Sequence, residues 1–452
     1  MKQGDLITIK ITDLNTSGEG VGRVDGKVVF VPHTVTGDCL QVRITQVKAK
    51  YAKALPKTML VPSEHRIRPR CIVADKCGGC QWQHIDDAYQ REAKRQQVVR
   101  ALQRIGGFYD LEVEPILHTP DVLNYRNKST YPLKLSANSK VQAGYYRKGS
   151  HKIVNLNQCP VQDARLNPLL KEIKQDIYYQ GWSIYDEKTH EWQLRHLSLR
   201  IGTHTGEMLL TLVSTNDRLP NLEKQAKAWL EKYPNLVGVC LNINSDRSNV
   251  IFGQETITIA GKPDIKEIFA GVELRILGDT FFQINTIAAE MLLDTTIEKL
   301  KLKGDEVLVD AYCGIGTFTL PLAKLVKQAI GIESLASSVA QAKHNAKINQ
   351  IDNVEFLAGK VATCLQQINT TPDIIVLDPP RKGCDSKVLD SLLAMQPSKI
   401  VYISCKPATL ARDIKTLVDS GLYKLGFVRS ADFFPQTTHV ESVVILEKLA
   451  VI

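Results

Sequence analysis

The chain has 452 residues, more than one hydrophobic core usually supports, so we expect two or three domains. Its 44% hydrophobic and 23% charged residues are ordinary for a soluble globular protein, and the lack of a roughly 20-residue apolar run excludes a membrane-spanning helix. Because no signal-peptide pattern opens the sequence, we expect a cytoplasmic protein. The net charge of +9 fits either a polyanionic partner or a merely basic surface.

Residues 1–58 predict a small β-barrel. Strand patterns occupy residues 6–11, 28–31 and 40–44. A glycine-rich loop is predicted at 18–23, and Asp25-Gly26 predicts a tight hairpin turn. So many short strands favour an OB-like barrel, a shape used to bind single-stranded nucleic acid. Pro56 and Pro62 predict a linker after it.

Residues 59–275 predict a central α+β domain that begins with a group of cysteines. The group comprises Cys71, Cys77, Cys80 and, further along, Cys159. Four thiolates suit zinc or an iron–sulfur cluster, and four unrelated thiols are the alternative. The wide first gap and the small residues Gly78-Gly79 slightly favour iron–sulfur, because backbone amides could then approach the sulfurs.

The same region contains one clear helix and one clear strand pair. The helix is predicted to start at Asp86 or Asp87 and to end near Gly106-Gly107. Its buried stripe is predicted to comprise Val98, Leu102 and Ile105. Residues 197–201 and 208–213 are predicted to be adjacent strands.

Residues 276–452 predict an α/β domain with a largely parallel sheet. Strand patterns occupy residues 307–310, 329–333, 354–357, 374–378, 400–404 and 442–446. Continuous apolar strands separated by helices are typical of a sheet covered on both faces. Ligands bind such sheets beyond the carboxyl ends of the strands, so motifs at those ends indicate the site.

The end of the first of these strands has a glycine loop, Gly314-x-Gly316, after Asp310. Thr319 stands where a dinucleotide fingerprint has its third glycine, which disfavours a pyrophosphate ligand. Glu333 ends the next strand and suits a ribose, and Asp378 ends the fourth. The loop alone could be a mere turn, but with these acids it favours the charged methyl donor S-adenosylmethionine.

Cys405 follows the fifth strand and precedes a helix predicted to start near Pro407. Its position and its neighbour Lys406 predict a lowered thiol pKa and a reactive thiolate rather than a buried core cysteine. A thiolate that attacks carbon 6 of uracil makes carbon 5 nucleophilic, and a base must then remove the carbon-5 proton. Glu441 and His439 are the candidate bases, unless they only form a solvated strand end.

The motifs of residues 280–448 resemble, in order, those of the RNA uracil-5-methyltransferase family. They are Phe281-Phe282-Gln283-Ile284-Asn285, the Asp310 loop, Asp378-Pro379-Pro380-Arg381, Ser404-Cys405-Lys406-Pro407 and His439-Val440-Glu441. The resemblance implies a class I, Rossmann-like methyltransferase domain with Cys405 as nucleophile and Glu441 as base. It implies donor contacts from Gln283, Tyr312, Glu333 and Asp378. It also implies that Phe281 stacks on the flipped base.

The N-terminal half resembles the branch of this family that acts on 23S ribosomal RNA. The resemblance implies that the barrel is a TRAM domain and that the four cysteines hold a [4Fe–4S] cluster, with zinc as the alternative. We therefore expect a monomer that binds ribosomal RNA and no membrane. Two departures from the family, Lys406 for Asn and Pro380 for Ala, could alter the substrate pocket. The other cysteines are interpreted as structural, namely Cys39, Cys240, Cys313, Cys364 and Cys384.

Three other functions are compatible with parts of the sequence. The same chemistry could act on transfer RNA, although the shorter transfer-RNA relatives lack the barrel and the cysteines. A degenerate, non-catalytic RNA-binding or ribosome-assembly protein is disfavoured by the intact Cys405 and Glu441. An adenine or amine methyltransferase would be permitted by Asp378-Pro379-Pro380 alone, but it would not need the thiolate.

Overall fold

In a computed structural model, which describes residues 1–450, the first five strands close into a barrel. They are β1 (Leu6–Leu14), β2 (Gly20–Val24), β3 (Lys27–Val31), β4 (Cys39–Val47) and β5 (Tyr51–Val61). Their order around the barrel is β1-β2-β3-β5-β4. The predicted hairpin turn is confirmed, since Asp25 and Gly26 both have positive φ angles of 49° and 76°. Alternate residues such as Ile9 and Ile11 fill the barrel core.

Two local features of the barrel differ from the sequence expectations. β5 continues past Pro56, which stands opposite Val42 beside an irregularity in the β4–β5 ladder. Proline cannot donate a ladder hydrogen bond, so such an irregularity is where a strand accommodates it. The predicted loop at 18–23 partly belongs to β2, which begins at Gly20. A Cβ on Gly20 would lie 2.0 Å from Thr34 Oγ1. This glycine therefore serves close packing in a strand.

The predicted helix is α1 (Asp87–Ala101), continued by a π-helical turn over residues 102–106. Its N-cap is confirmed as Asp86, whose side chain accepts a 2.8 Å hydrogen bond from Tyr89 N. Val98 and Leu102 are buried as predicted, but Ile105 is exposed. The wider π-turn rotates Ile105 away from the buried stripe, so the 3.6-residue period fails at this point. β6 (Glu114–Leu117) follows the helix.

The central domain has a seven-stranded sheet of order β13-β12-β11-β10-β7-β8-β9. Its strands are β7 (Lys128–Leu135), β8 (Val141–Tyr146), β9 (Ile153–Asn155), β10 (Leu194–Ile201), β11 (Met208–Ser214), β12 (Leu236–Ile243) and β13 (Glu255–Gly261). Its helices are α2 (Asn167–Tyr179) and α3 (Leu222–Lys232), with a 3-10 turn at Ala164–Leu166. The predicted pairing of β10 with β11 is confirmed and is antiparallel. A separate hairpin, β14 (Asp264–Phe269) and β15 (Val272–Leu277), leads into the last domain.

The C-terminal domain contains an eight-stranded sheet of order β18-β17-β16-β19-β20-β22-β21-β6. Its own strands are β16 (Val307–Asp310), β17 (Gln328–Glu333), β18 (Val354–Ala358), β19 (Ile374–Leu377), β20 (Lys399–Ser404), β21 (Tyr423–Ala431) and β22 (Glu441–Lys448). Its helices are α4 (Thr286–Leu300), α5 (Thr319–Ala323), α6 (Ala336–Ile348), α7 (Val361–Gln367), α8 (Ser386–Met395) and α9 (Pro407–Asp419). All six predicted strands are present, and β16 to β20 are parallel as predicted.

Two strands of this sheet were not predicted. β21 pairs with β22, and β6 joins the edge although it lies far upstream in the sequence. Helix α1 packs beside it against α9 and β21. The sheet is buried on both faces, with Leu308 and Val376 in one hydrophobic cluster and Val309 and Leu377 in another. Within residues 1–450, no helix has both the length and the apolar character needed to cross a membrane.

Candidate active site

The site residues predicted from the sequence gather at the carboxyl edge of the C-terminal sheet. Glu333 ends β17, while Asp378 and Cys405 directly follow β19 and β20. β22 runs antiparallel to β20, with Ser442 opposite Ser404. This register puts Glu441, the first residue of β22, across from Cys405. Parallel strands and one antiparallel return strand therefore bring the candidate nucleophile and the candidate base together.

The loop after β16 provides open space for a ligand. Gly314 and Gly316 have φ angles of 55° and 85°, which L-residues rarely adopt. A Cβ on Gly314 would meet no atom within 4 Å, so a ligand can approach this backbone. Thr319 Oγ1 donates a 2.6 Å hydrogen bond to Asp310 Oδ2, so this threonine helps to hold Asp310 in place. Burial raises the pKa of Asp310 to about 6.

The predicted donor contacts lie around this loop. Glu333 Oε1 accepts hydrogen bonds from Ser334 Oγ (2.9 Å) and Leu335 N (2.8 Å). Neither of these hydrogen bonds involves Oε2. Gln283 Nε2 donates to Asp378 Oδ2 at 3.4 Å. Burial raises the pKa of Asp378 to about 7, and the charge of Asp310 adds to the rise. Asp378 is therefore protonated in part near neutral pH.

The two predicted aromatic residues have different surroundings. The Tyr312 hydroxyl lies 4.0 Å from Cys384 Sγ, and burial raises the pKa of this phenol. Phe281 is 74% exposed and lies two residues before Gln283. An exposed ring of this size beside the site is available for stacking on a planar ligand.

The expectation of a lowered Cys405 pKa is wrong. Burial raises the pKa of the half-buried thiol, and the negative charges of Glu441 and Asp378 raise it further. Arg381 opposes this rise through its positive charge. Lys406 is the N-cap residue of α9 and is not the cation that acts on the sulfur. Desolvation outweighs the helix N-terminus here, so the thiol is a weaker acid than an ordinary cysteine.

Glu441 and His439 are placed very differently. Glu441 is only 7% exposed, and its pKa is raised well above the usual range by burial and by Asp378, with Arg381 opposing. A carboxylate with a raised pKa is a stronger base. His439 is exposed and precedes β22, so the alternation that would align it with Glu441 does not apply. Although the residue is exposed, partial desolvation of its ring and the charges of nearby cations lower its pKa.

Sequence reasoning missed the role of the loop that carries Arg381. Asp413 of α9 is buried and accepts hydrogen bonds from Cys384 N (2.8 Å) and the Tyr402 hydroxyl (2.6 Å). Gly383 has a φ of 80°, and a Cβ there would lie 2.5 Å from Asp413 Oδ2. These contacts attach the loop to α9 and hold Arg381 beside Cys405. The sequence feature that could have indicated this role is the position of Arg381 directly after Asp378-Pro379-Pro380.

The four cysteines of the central domain line one cavity, together with Arg126 and Tyr145. Gly79 N donates to Cys77 Sγ at 3.4 Å, as expected for an amide that approaches a sulfur. Burial raises the pKa of Cys80 to about 12. Among residues 1–450, no group of three or more His, Cys, Asp or Glu side chains is arranged to hold a metal ion. The four thiols therefore share one cavity, and in this structure they are not gathered around the position of a single metal ion.

Comparison with known protein families identifies both ends of the chain. The model of the tRNA (uracil-5-)-methyltransferase family matches residues 89–449, and that of the TRAM domain matches residues 1–56. The first match covers well over half of the chain. The chain belongs to the tRNA (uracil-5-)-methyltransferase family. It is thus an S-adenosylmethionine-dependent RNA methyltransferase, and the predicted TRAM barrel and methyltransferase fold are confirmed.

Curated relatives and a solved structure resemble this methyltransferase over nearly its whole length. A protein of Nostoc sp., described as an uncharacterized RNA methyltransferase, is 59% identical over 97% of this chain and 95% of its own. A protein of Synechocystis sp. with the same description is 56% identical over 99% of this chain and 96% of its own. The solved tRNA (uracil-54, C5)-methyltransferase of Pyrococcus abyssi, in complex with S-adenosyl-L-homocysteine, is 28% identical, with a TM-score of 0.78. That match covers 97% of this chain and 100% of the other.

Proposed function

We propose that this methyltransferase methylates carbon 5 of a uridine in 23S ribosomal RNA through a covalent bond between Cys405 and the base. The observation that carries the proposal is the pairing of β20 with β22, which faces Cys405 with the buried carboxyl of Glu441. A carbon-5 methyltransferase needs both a nucleophile for carbon 6 and a base for the carbon-5 proton. An amine methyltransferase would need neither.

The proposed reaction replaces one difficult step by three bond exchanges. Cys405 Sγ bonds to carbon 6, and the electron pair of the 5,6 double bond becomes available at carbon 5. Carbon 5 then bonds to the methyl carbon, whose old bond to sulfur breaks with the electrons remaining on that sulfur. Glu441 removes the carbon-5 proton, the double bond re-forms, and the bond to Cys405 breaks to return the thiolate.

The other residues of the site prepare Cys405 for attack. Because its pKa is raised, the thiol must lose a proton as it reacts. Asp378, with a pKa near 7, is the proposed acceptor, since its charge already acts on the sulfur. Arg381 stabilises the thiolate that results. Both groups follow β19, so one loop supplies the proton acceptor and the cation.

The proposed donor site fits S-adenosylmethionine, which when bound supplies a methyl group on a positively charged sulfur. The open space at Gly314 accommodates a ligand against the backbone. Glu333 Oε2 is available to a ribose hydroxyl. The amide of Gln283 and the carboxyl of Asp378 lie at the reacting end. On the RNA side, the exposed Phe281 is proposed to stack on the extruded uracil.

Incubation of the wild-type protein with S-adenosylmethionine and RNA containing 5-fluorouridine tests the covalent step. Fluorine occupies the position of the proton that Glu441 would remove, so the methylated adduct cannot eliminate. We expect a protein–RNA complex that resists denaturation and contains Cys405 in its cross-linked peptide. A peptide cross-linked elsewhere, or no complex on an RNA whose normal counterpart is methylated, would contradict the mechanism.

A uridine of transfer RNA is the second candidate substrate. The match to the Pyrococcus abyssi transfer-RNA enzyme covers 97% of this chain, so the barrel of residues 6–61 is included in it. The barrel therefore does not separate the two substrate classes, contrary to the sequence expectation. Transcripts of 23S ribosomal RNA and of transfer RNA, methylated separately and mapped for 5-methyluridine, distinguish them. Methylation of transfer RNA alone would replace ribosomal RNA as the substrate.

We also propose that Cys71, Cys77, Cys80 and Cys159 hold a [4Fe–4S] cluster. The Nε atom of Arg126, at the cavity wall, is buried and has no hydrogen-bond partner within residues 1–450. A buried guanidinium beside four thiols favours an anionic thiolate assembly. Because the pKa of Cys80 is raised, this thiol ionises only when a bound cation stabilises the thiolate. A zinc ion held by the same four thiolates would have the same net charge as the cluster with its thiolates, so zinc remains the alternative.

The protein purified without oxygen is expected to be brown and to contain about four iron and four sulfide per chain. Cys77→Ser is expected to lose the colour and the iron. Cys39→Ser is the matched control, because Cys39 is also partly buried but lies in the barrel. Colourless protein with stoichiometric zinc, or iron that survives in Cys77→Ser, would contradict the cluster.

A further inference from the structure

The segment that leads into Glu441 is largely buried, apart from His439, although it has no regular secondary structure. Residues 432–440, here called the base loop, connect β21 to β22. Phe433, Gln436 and Thr437 are at most 4% exposed. Most of the hydrogen bonds that join it to other parts of the chain involve residues 81–125, although Asn285 also donates to Phe433 O and Phe433 packs in the core of the sheet. The position of Glu441 therefore depends on parts of the chain some 300 residues away in sequence.

The cysteine segment and the central domain contact the base loop directly. Gln81 N and Trp82 N both donate hydrogen bonds to the backbone oxygen of Gln436, at 3.1 and 3.0 Å. These donors immediately follow Cys80. The Tyr125 hydroxyl donates to Pro435 O at 3.0 Å. The barrel also reaches the loop, since a Cβ on Gly18 would lie 2.7 Å from Thr438 Cγ2.

Helix α1 holds Gln436 through its side chain and its backbone nitrogen. Gln436 N donates to Gln90 Oε1 at 2.9 Å, and Gln90 Nε2 donates to Gln436 Oε1 at 3.2 Å. Gln436 Nε2 donates to Asp87 Oδ1 at 2.9 Å. Gln436 has a φ of 70°, a conformation that costs a non-glycine residue energy and persists only where contacts hold it. One turn later, Lys94 forms a buried ion pair of 2.6 Å with Asp432.

We propose that Gln436 is a positioning residue for the removal of the carbon-5 proton. Its side chain ties the base loop to α1, and its backbone ties the loop to the cysteine segment, so that Glu441 stays opposite Cys405. This inference rests on the proposed covalent mechanism. Cys405 follows β20 and precedes α9, whereas Gln436 bonds to residues 81–90. Loss of the Gln436 side chain should thus impair proton removal more than attack and methyl transfer.

The test is Gln436→Gly, because glycine suits the positive φ and the change removes only the side-chain contacts. The matched control is Gln396→Gly, a glutamine with φ 49° at the end of α8 in the same domain. Each variant is incubated with S-adenosylmethionine and the RNA transcript that the wild type methylates. Turnover, the covalent RNA–protein complex on a denaturing gel, and binding of S-adenosylhomocysteine are measured.

We expect turnover of Gln436→Gly to fall on the order of 100-fold, as a misplacement of about 1 Å can cause. The covalent complex should accumulate at least several-fold above wild type, and S-adenosylhomocysteine binding and Gln396→Gly should be unchanged. The inference would be overturned if Gln436→Gly turned over at the wild-type rate or lost binding of S-adenosylhomocysteine. It would also be overturned if turnover and the amount of covalent complex fell to the same extent. Glu441→Gln is run in parallel. If that variant also traps no complex, the covalent mechanism itself fails.

Discussion

Cys405→Ala is expected to abolish methylation while leaving binding of S-adenosylhomocysteine intact. Without the sulfur, no bond forms to carbon 6, and carbon 5 of uracil stays too weak a nucleophile to accept the methyl group. Loss of a covalent nucleophile costs on the order of 10⁶-fold in kcat in a well-studied protease, so the residual rate should fall below detection. Transfer of radiolabelled methyl to the RNA transcript measures the loss.

The matched control for this variant is Cys364→Ala. Cys364 is a buried cysteine of the same domain, on α7, outside the group of residues at the strand ends. We expect it to retain most of its activity, so that the effect of Cys405→Ala is specific to that sulfur. Full turnover by Cys405→Ala would refute the covalent mechanism. Loss of S-adenosylhomocysteine binding would instead indicate damage to the donor site.

Glu441→Gln is expected to trap the reaction after methyl transfer. The amide has the shape of the carboxyl but cannot accept the carbon-5 proton, so the RNA stays bonded to Cys405. Turnover should fall about 10²- to 10⁴-fold, the range of general-base catalysis. The trapped complex should carry one methyl group on the nucleotide attached to the Cys405 peptide, which mass spectrometry can establish.

The same variant has a distinct effect on the thiol in the absence of RNA. The charge of Glu441 raises the pKa of Cys405, so its removal should lower that pKa. Alkylation of Cys405 should therefore reach its half-maximal rate at a lower pH than in the wild type. Glu447→Gln is the control, since Glu447 lies on the same strand but pairs with Lys424 near the surface. An unchanged or higher alkylation midpoint in Glu441→Gln would contradict the proposed contact.

The chemistry of the site was largely predictable from the sequence. Apolar strands followed by glycines, acids or a cysteine are local patterns, and the topology of a parallel sheet brings such strand ends to one edge. Asp378, Cys405 and Glu333 could therefore be assigned to one site from these patterns. Glu441 was found in the same way, as the first residue of the last strand.

The sequence did not reveal how the environment changes these groups. It predicted a lowered Cys405 pKa from the helix and from Lys406, both of which are neighbours in sequence. The pKa is raised because burial, Glu441 and Asp378 act through space, and none of them is a near neighbour in the chain. Desolvation and long-range charges depend on which elements pack together, so a local pattern cannot specify them.

What the sequence alone determined is the order of strands and helices and the types of residue that end each strand, because both depend on local propensity and periodicity. The tertiary structure alone decided that β6 joins the methyltransferase sheet, that α1 packs beside it, and that the base loop is held by the cysteine segment. It also decided the direction in which the pKa of Cys405 is shifted. These features arise from contacts between residues hundreds of positions apart, which local patterns do not encode.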